Sequence, residues 1–135
     1  ASRATVLTSL GRLAEAEGDP DGAAQIYHQA LAASLSNHDF SAAAAVAEGL
    51  AGVALLRGQG ERAAVLLGAG VALRGTEIDG DPDVVRTAAA ARTLVGESAF
   101  AAAHRRGAAL GRDQALQLAD LPSSGFGAGS VSADG

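Results

Sequence analysis

One pattern of large and small residues is written twice in this chain, and the repeat constrains the fold more than any other feature. Leu10-Gly11, Ala14, Gly18, Ala23, Tyr27 and Ala30 recur as Leu50-Ala51, Ala54, Gly58, Ala63, Leu67 and Gly70, each forty positions later. A duplication that keeps every internal offset marks a supersecondary unit that buries its apolar face only by stacking on a second unit. Within each unit the apolar residues fall at i, i+3, i+4 and i+7, the spacing of one helix face. Val6, Leu7, Leu10, Leu13 and Ala14 mark the stripe of a first helix. Ala23, Ile26, Tyr27, Ala30, Leu31 and Leu35 mark that of a second. Gly18 stops the first helix, Asp19 caps the next, and Pro20 occupies a first-turn position where a missing N–H costs nothing. So short a turn requires the two helices to pack antiparallel.

After the polar break Ser36-Asn37-His38-Asp39 the unit repeats. A third helix carries Val46, Ala47, Leu50, Ala51, Val53 and Ala54 and ends at Gly58-Gln59-Gly60. A fourth carries Ala63, Ala64, Leu66, Leu67, Val71 and Leu73. The large-small pair of the first helix, followed by small-large-small in the second, resembles the tetratricopeptide repeat. The forty-residue step exceeds the ~34 of that repeat, so the excess is expected in longer helices or in the Ser36–Asp39 loop.

Asp81-Pro82 opens a fifth helix with Val84, Val85, Ala88, Ala91, Leu94 and Val95, which Gly96 ends or kinks. Ala99, Phe100 and Ala103 indicate a sixth, with Ser98 as its first-turn cap, and Ala115, Leu116, Leu118 and Ala119 a short seventh. The expected fold class is therefore all-α: a tetratricopeptide-like stack of antiparallel helical hairpins, about seven helices in all. Residues 1–78 form the two hairpins, 79–121 capping helices, and 122–135 a Gly/Ser-rich tail of flexible composition.

Composition narrows the function classes. Alanine and leucine dominate, and Tyr27, Phe40, Phe100 and Phe126 are the aromatics. There is no cysteine, which removes disulfides and thiolate metal sites. All ten basic residues are arginine, so P-loop and Schiff-base chemistry lack their lysine. This usage suggests a GC-rich bacterial genome. A net charge of −5 argues against direct nucleic-acid contact. No apolar run approaches the ~20 residues of a membrane span. The first residue is Ala1 rather than methionine, which fits excision from a larger protein.

The stretch Glu48-Gly49-Leu50-Ala51-Gly52-Val53-Ala54, then Gly58 to Ala69, together with Ala72-Leu73-Arg74, Gly96-Glu97, Phe100-Ala101 and Asp113-Gln114-Ala115, resembles a known family. These segments are similar to the C-terminal end of large ATP-binding bacterial regulators of the LuxR and antibiotic-regulatory-protein types. The resemblance covers residues 40 to 120 and is specific to the repeat type more than to one class of parent. It implies a cytoplasmic, non-catalytic domain lying downstream of DNA-binding and nucleotide-binding modules. It brings no cofactor, catalytic residue or metal ligand onto this stretch. Gly60 stands where the family usually has proline, and Gly111-Arg112-Asp113-Gln114 where it has a hydroxyl cap and two acids.

The remaining candidates have bland readings. His28, His38 and His104 are too far apart for an i, i+4 ligand pair. Gly125-Phe126-Gly127-Ala128-Gly129 follows no strand and opens no helix, so it reads as linker rather than phosphate loop. Glu15/Glu17 and Asp81/Asp83 read as solvated helix ends. The concave face, lined in such arrays by the first helix of each hairpin, is the expected binding surface. Repeat positions assign it Thr5, Thr8, Arg12 and Glu15 from one helix, and Glu48, Gly52, Leu55 and Leu56 from the other. Arg12 would hold a carboxylate or peptide backbone, Leu55 and Leu56 would form an apolar floor, and Glu48 would point outward. An ordinary solvated face, with Arg12 and Glu15 as an i, i+3 pair, is the alternative.

The expected role is thus a protein-interaction domain, the sensor or self-association end of a transcriptional regulator. The alternative is a free-standing adaptor that holds a peptide in its groove. Partners on these readings are the parent's own upstream domains, a peptide or a second copy. Two hairpins are fewer than the ~3 that such stacks need. In an intact parent, preceding repeats would cover the first helix. In this fragment Val6, Leu7 and Leu10 are expected to stay partly exposed. A two-fold homodimer is the simplest way to cover them, and a monomer with a frayed first helix is the alternative.

Overall fold

The computed structural model describes residues 2–76 and 81–121, which form seven helices and no strand. These are α1 (Arg3–Ala16), α2 (Pro20–Ser36), α3 (Phe40–Leu56), α4 (Gly60–Arg74), α5 (Pro82–Val95), α6 (Glu97–Ala108) and α7 (Arg112–Asp120). The Gly/Ser-rich tail, its Gly125–Gly129 run and Glu77–Gly80 lie outside the described residues. The chain is an all-α stack of helical hairpins, as the duplication predicts. No helix of the described residues is long and apolar enough to cross a membrane.

The first three turns share one geometry. Gly18, His38 and Gly58 take φ of +74°, +52° and +72°, the left-handed region in which glycine carries no Cβ penalty. In each, the next N–H reaches back to a carbonyl five residues earlier: Asp19 to Ala14, Asp39 to Ser34 and Gln59 to Ala54, at 3.0, 2.9 and 2.8 Å. This closes the last turn of one helix. Asp19 and Asp39 then accept from the N–H groups of Gly22 and Ala42, both at 3.0 Å, and open the next helix. Because the Ser36–Asp39 break is the same tight turn, the extra length sits in the helices; α2 and α3 have 17 residues each.

Later junctions differ. Gly96 (φ 93°, ψ 154°) ends α5 and starts α6 with no side-chain cap, so Ser98 does not act as one. At α7 Gly111 offers no side chain, and Gln114 Oε1 accepts the Gly111 N–H at 3.2 Å.

Alanine makes most of the core, and Tyr27, Leu31, Leu66, Leu73, Val46 and Val53 are its large fully buried members. Helix α4 lies at the centre, packed by α3, α5, α6 and α7. On α1 the partial exposure expected of Val6, Leu7 and Leu10 is observed, and Leu13 is exposed with them. The helix turns its small face inward, burying Ala4, Thr8, Gly11 and Ala14, and leaves Val6, Leu10 and Leu13 exposed. Leu7 alone of the predicted large residues packs partly on the core. Likewise α2 buries Ser34 rather than Leu35, and α5 fully buries only Ala91 while Val85 and Leu94 face out.

Candidate functional site

The groove is organised by Tyr27. Its ring leaves α2 and passes between α1 and α3, where Gly11 and Gly49 stand on either side. A Cβ at either position would lie 2.5 Å from the ring's Cε1, so only glycine leaves room for it. The ring is fully buried, and its hydroxyl emerges on the far side to donate to Glu15 Oε2. The Glu15 carboxylate lies across Gly52 of α3, close enough that a Cβ there would sit 2.9 Å from its Cδ. Burial raises the Glu15 carboxyl above its ordinary value, against the opposing pull of the Tyr27 hydroxyl and Arg12. The Tyr27 phenol is raised too, first by burial and then by its bond to Glu15.

Beside this pair lies a pocket of about 340 Å³ between α1, α3 and α5. Arg12, Glu15, Glu48 and Gly49 line it, with Asp83, Val84, Arg86 and Thr87 of α5 opposite. Arg12 reaches Asp83 across the groove at 3.3 Å, and Arg86 pairs with the other oxygen of Asp83. Glu48 accepts two hydrogen bonds from Arg74 at the end of α4, at 2.6 and 3.1 Å. Both partners are nearly covered, with side chains 9% and 12% exposed. The hydrogen bonds to Glu48 are the main reason that the Arg74 guanidinium is held above its ordinary value. On the other side of α5 lies a second depression of about 430 Å³, where Arg92 sits 4.5 Å over the Phe100 ring and Phe100 stacks on His104.

Of the residues assigned to the concave face, Arg12, Glu15 and Glu48 come together in this groove. The others do not line it. Thr8 is buried, and its hydroxyl donates to the Ala4 carbonyl at 2.8 Å. Gly52 is the covered floor beneath Glu15 rather than an open contact. Leu55 packs on the core and Leu56 is exposed, and neither borders the pocket, so the groove has no leucine floor. Glu48 points into the protein toward Arg74, not outward. Arg12 pairs with Asp83 in place of Glu15. Asp83, half exposed in the first turn of α5, is a helix end that also lines the groove, whereas Glu15 is half-buried in it.

The contribution of α5 was missed because its residues follow no repeat offset. The signal available was Asp83 and Arg86, an i, i+3 charge pair in the first turn of a helix opened by Asp81-Pro82. Among the described residues no group of three His, Asp or Glu side chains is placed to hold a metal ion. The class defined is a helical-hairpin stack whose first helices line a charged groove. The chain matches no protein-family model, no curated protein and no solved structure.

Proposed function

We propose that this chain is a non-catalytic interaction domain that holds an extended protein segment in the groove between α1, α3 and α5. The observation that carries this reading is the division between a fixed floor and an exchangeable rim. Tyr27–Glu15, part-buried, ties α2 to α1, and Glu48–Arg74, nearly covered, ties α3 to α4. Arg12 and Asp83 meet at 3.3 Å with side chains 39% and 45% exposed. Exposed pairs of this kind are worth only ~0–1 kcal/mol, so a ligand opens them at little cost. Their donors and acceptors of both signs suit the amide and carbonyl groups of an extended chain. Thr87 lines the groove, but its hydroxyl already donates to the Asp83 carbonyl at 2.9 Å, which favours binding over nucleophilic chemistry.

The resemblance of residues 40 to 120 to the tails of ATP-binding bacterial regulators supports a more specific role. On it, the domain is the cytoplasmic sensor or self-association end of a transcriptional regulator, and the groove's occupant comes from the same protein. The free-standing adaptor would use the same groove for a peptide of another protein. The reading frame before Ala1 separates them: a contiguous nucleotide-binding domain supports the regulator, and a start codon immediately upstream overturns it.

The groove itself is tested by panning a displayed peptide library on the purified chain and mapping the enriched peptides by NMR. The expected shifts fall on the amides of Arg12, Asp83, Arg86 and Thr87, and Asp83→Asn weakens binding. Enriched peptides that leave those four amides unmoved would overturn the groove as the binding surface.

A further inference from the structure

The two hairpins differ in one respect that their shared pattern exposes. Val46, Leu50 and Val53 of α3 are 0%, 5% and 1% exposed. Their repeat equivalents on α1, Val6, Leu10 and Leu13, are 48%, 45% and 56% exposed. On α3, Val46 and Val53 stand three and four positions from Gly49, which packs on Tyr27 of the first hairpin, and α3 also packs on α1 and α2. The same apolar stripe on α1 has no helix against it among the described residues.

The structure tells what fits there. A preceding hairpin of this type would send a large residue across α1 as Tyr27 crosses α3. The position that lets Tyr27 through is Gly49, and on α1 its equivalent is Ser9, which carries a side chain where Tyr27 needs none. A second copy cannot offer its last hairpin either, because its α4 is covered by α5, α6 and α7. The stripe is, however, complementary to itself. Arg3 lies three residues before Val6 and Glu17 four after Leu13, so a cation and an anion end the same stripe. Both are exposed, and neither has an ion-pair partner among the described residues.

We infer that two copies of this chain associate through α1, antiparallel about a two-fold axis at Leu10. Leu10 then meets its counterpart, Val6 meets Leu13 of the second copy, and Arg3 meets Glu17 at both ends. The pairs are all centred on the turn of Leu10, as an isologous antiparallel contact demands. The surface is small, so the dimer is a weak, concentration-dependent one. This contact uses the side of α1 away from the groove and does not rest on the groove's function.

Sedimentation equilibrium across a concentration series tests it, with helix content followed by circular dichroism. The wild-type chain is expected to dimerise reversibly, and Leu10→Glu to be monomeric with unchanged helix content. Arg3→Glu and Glu17→Arg each place like charges together twice and are expected to weaken association about tenfold. An equimolar mixture of those two variants restores two opposite-charge contacts, so it is expected to form a mixed dimer that neither forms alone. A wild-type chain that stays monomeric would overturn the proposal. So would a dimer indifferent to all three changes, or a mixture that shows no rescue.

Discussion

Gly68 of α4 and Gly107 of α6 face one another where the two helices cross, and there the backbones themselves touch. A Cβ built on Gly68 would lie 2.7 Å from the Ala108 nitrogen and 2.9 Å from the Gly107 Cα. One built on Gly107 would lie 2.9 Å from the Ala69 nitrogen and 3.0 Å from the Gly68 Cα. The obstacles are main-chain atoms of helices, which cannot rotate aside as a side chain would. This crossing seats α6 on the central helix, and α5 and α7 settle around it.

Gly107→Ala is therefore expected to destabilise the protein despite removing a poor helix former. Helix propensity favours alanine by up to about 1 kcal/mol, whereas overpacking of a closed contact costs about 1–3 kcal/mol. The net effect is a lower melting temperature and faster amide exchange in α6 and α7 than in α1 to α3. Gly68→Ala should act alike, and the double variant should cost less than the two singles together, since one parting of the helices accommodates both. A raised melting temperature in either single variant would mean that the helices do not touch here.

Tyr27→Phe keeps the ring between Gly11 and Gly49 and removes only the hydroxyl that Glu15 accepts. Loss of a partner at a partly buried acceptor costs about 1–3 kcal/mol. In a double-mutant cycle with Glu15→Gln, the coupling energy should be about 1 kcal/mol or more, because an amide oxygen still accepts from Tyr27 but lacks the charge. Additive effects in chemical denaturation would separate the two residues.

The repeat register treats Glu48 as outward-facing and tolerant of change, and the Arg74 pairing reverses that expectation. Glu48→Leu strands a guanidinium that is nearly covered, at an expected cost of about 2–3 kcal/mol, between that of a charged hydrogen bond and of a fully buried pair. Glu48→Leu with Arg74→Met should recover most of it, since apolar pairs of similar volume replace such ion pairs well. Ala51→Leu, at the fully buried seam of the second hairpin, should cost about 1–3 kcal/mol with no such rescue. Thermal melts of these variants decide between the two views of Glu48.

These cases show what the sequence makes legible. Helix count, order and boundaries are readable because glycine, proline and Asp caps carry local backbone requirements that hold wherever they occur. Which face of a helix is covered depends on a neighbour that periodicity does not name. Helix α1 has two candidate faces, a large one at Val6, Leu10 and Leu13 and a small one at Ala4, Gly11 and Ala14. Hydropathy favours the first, but the tyrosine of α2 fits only against the second. The groove was half legible for the same reason. Arg12, Glu15 and Glu48 follow repeat positions, whereas Asp83 and Arg86 enter through α5, outside the duplicated unit. Contacts built on absent side chains, such as Gly68 on Gly107, leave no apolar signal at all.

The acid–base behaviour of Glu15 gives a last test of the site. Burial is the largest influence on its carboxyl and raises it above the ordinary 4.5, with the Tyr27 hydroxyl and Arg12 pulling down and Asp83 pushing up. In the unfolded chain the group titrates near its ordinary value. Between the two values the folded protein therefore binds more protons at this site than the unfolded one. Stability contributed by the site falls as pH rises across that window and is fully lost above the raised value. Glu15→Gln holds the side chain neutral at every pH while keeping an oxygen for Tyr27. The stability of the variant relative to wild type should then be lowest at acid pH, climb from about 4.5 upward and level off once Glu15 is ionised in the folded protein. Urea unfolding of both proteins at a series of pH values measures that difference directly, and other titrating groups cancel in it. A difference that shrinks with rising pH would show that the Tyr27 hydroxyl and Arg12 together outweigh burial and that the groove is more open to water than its geometry indicates.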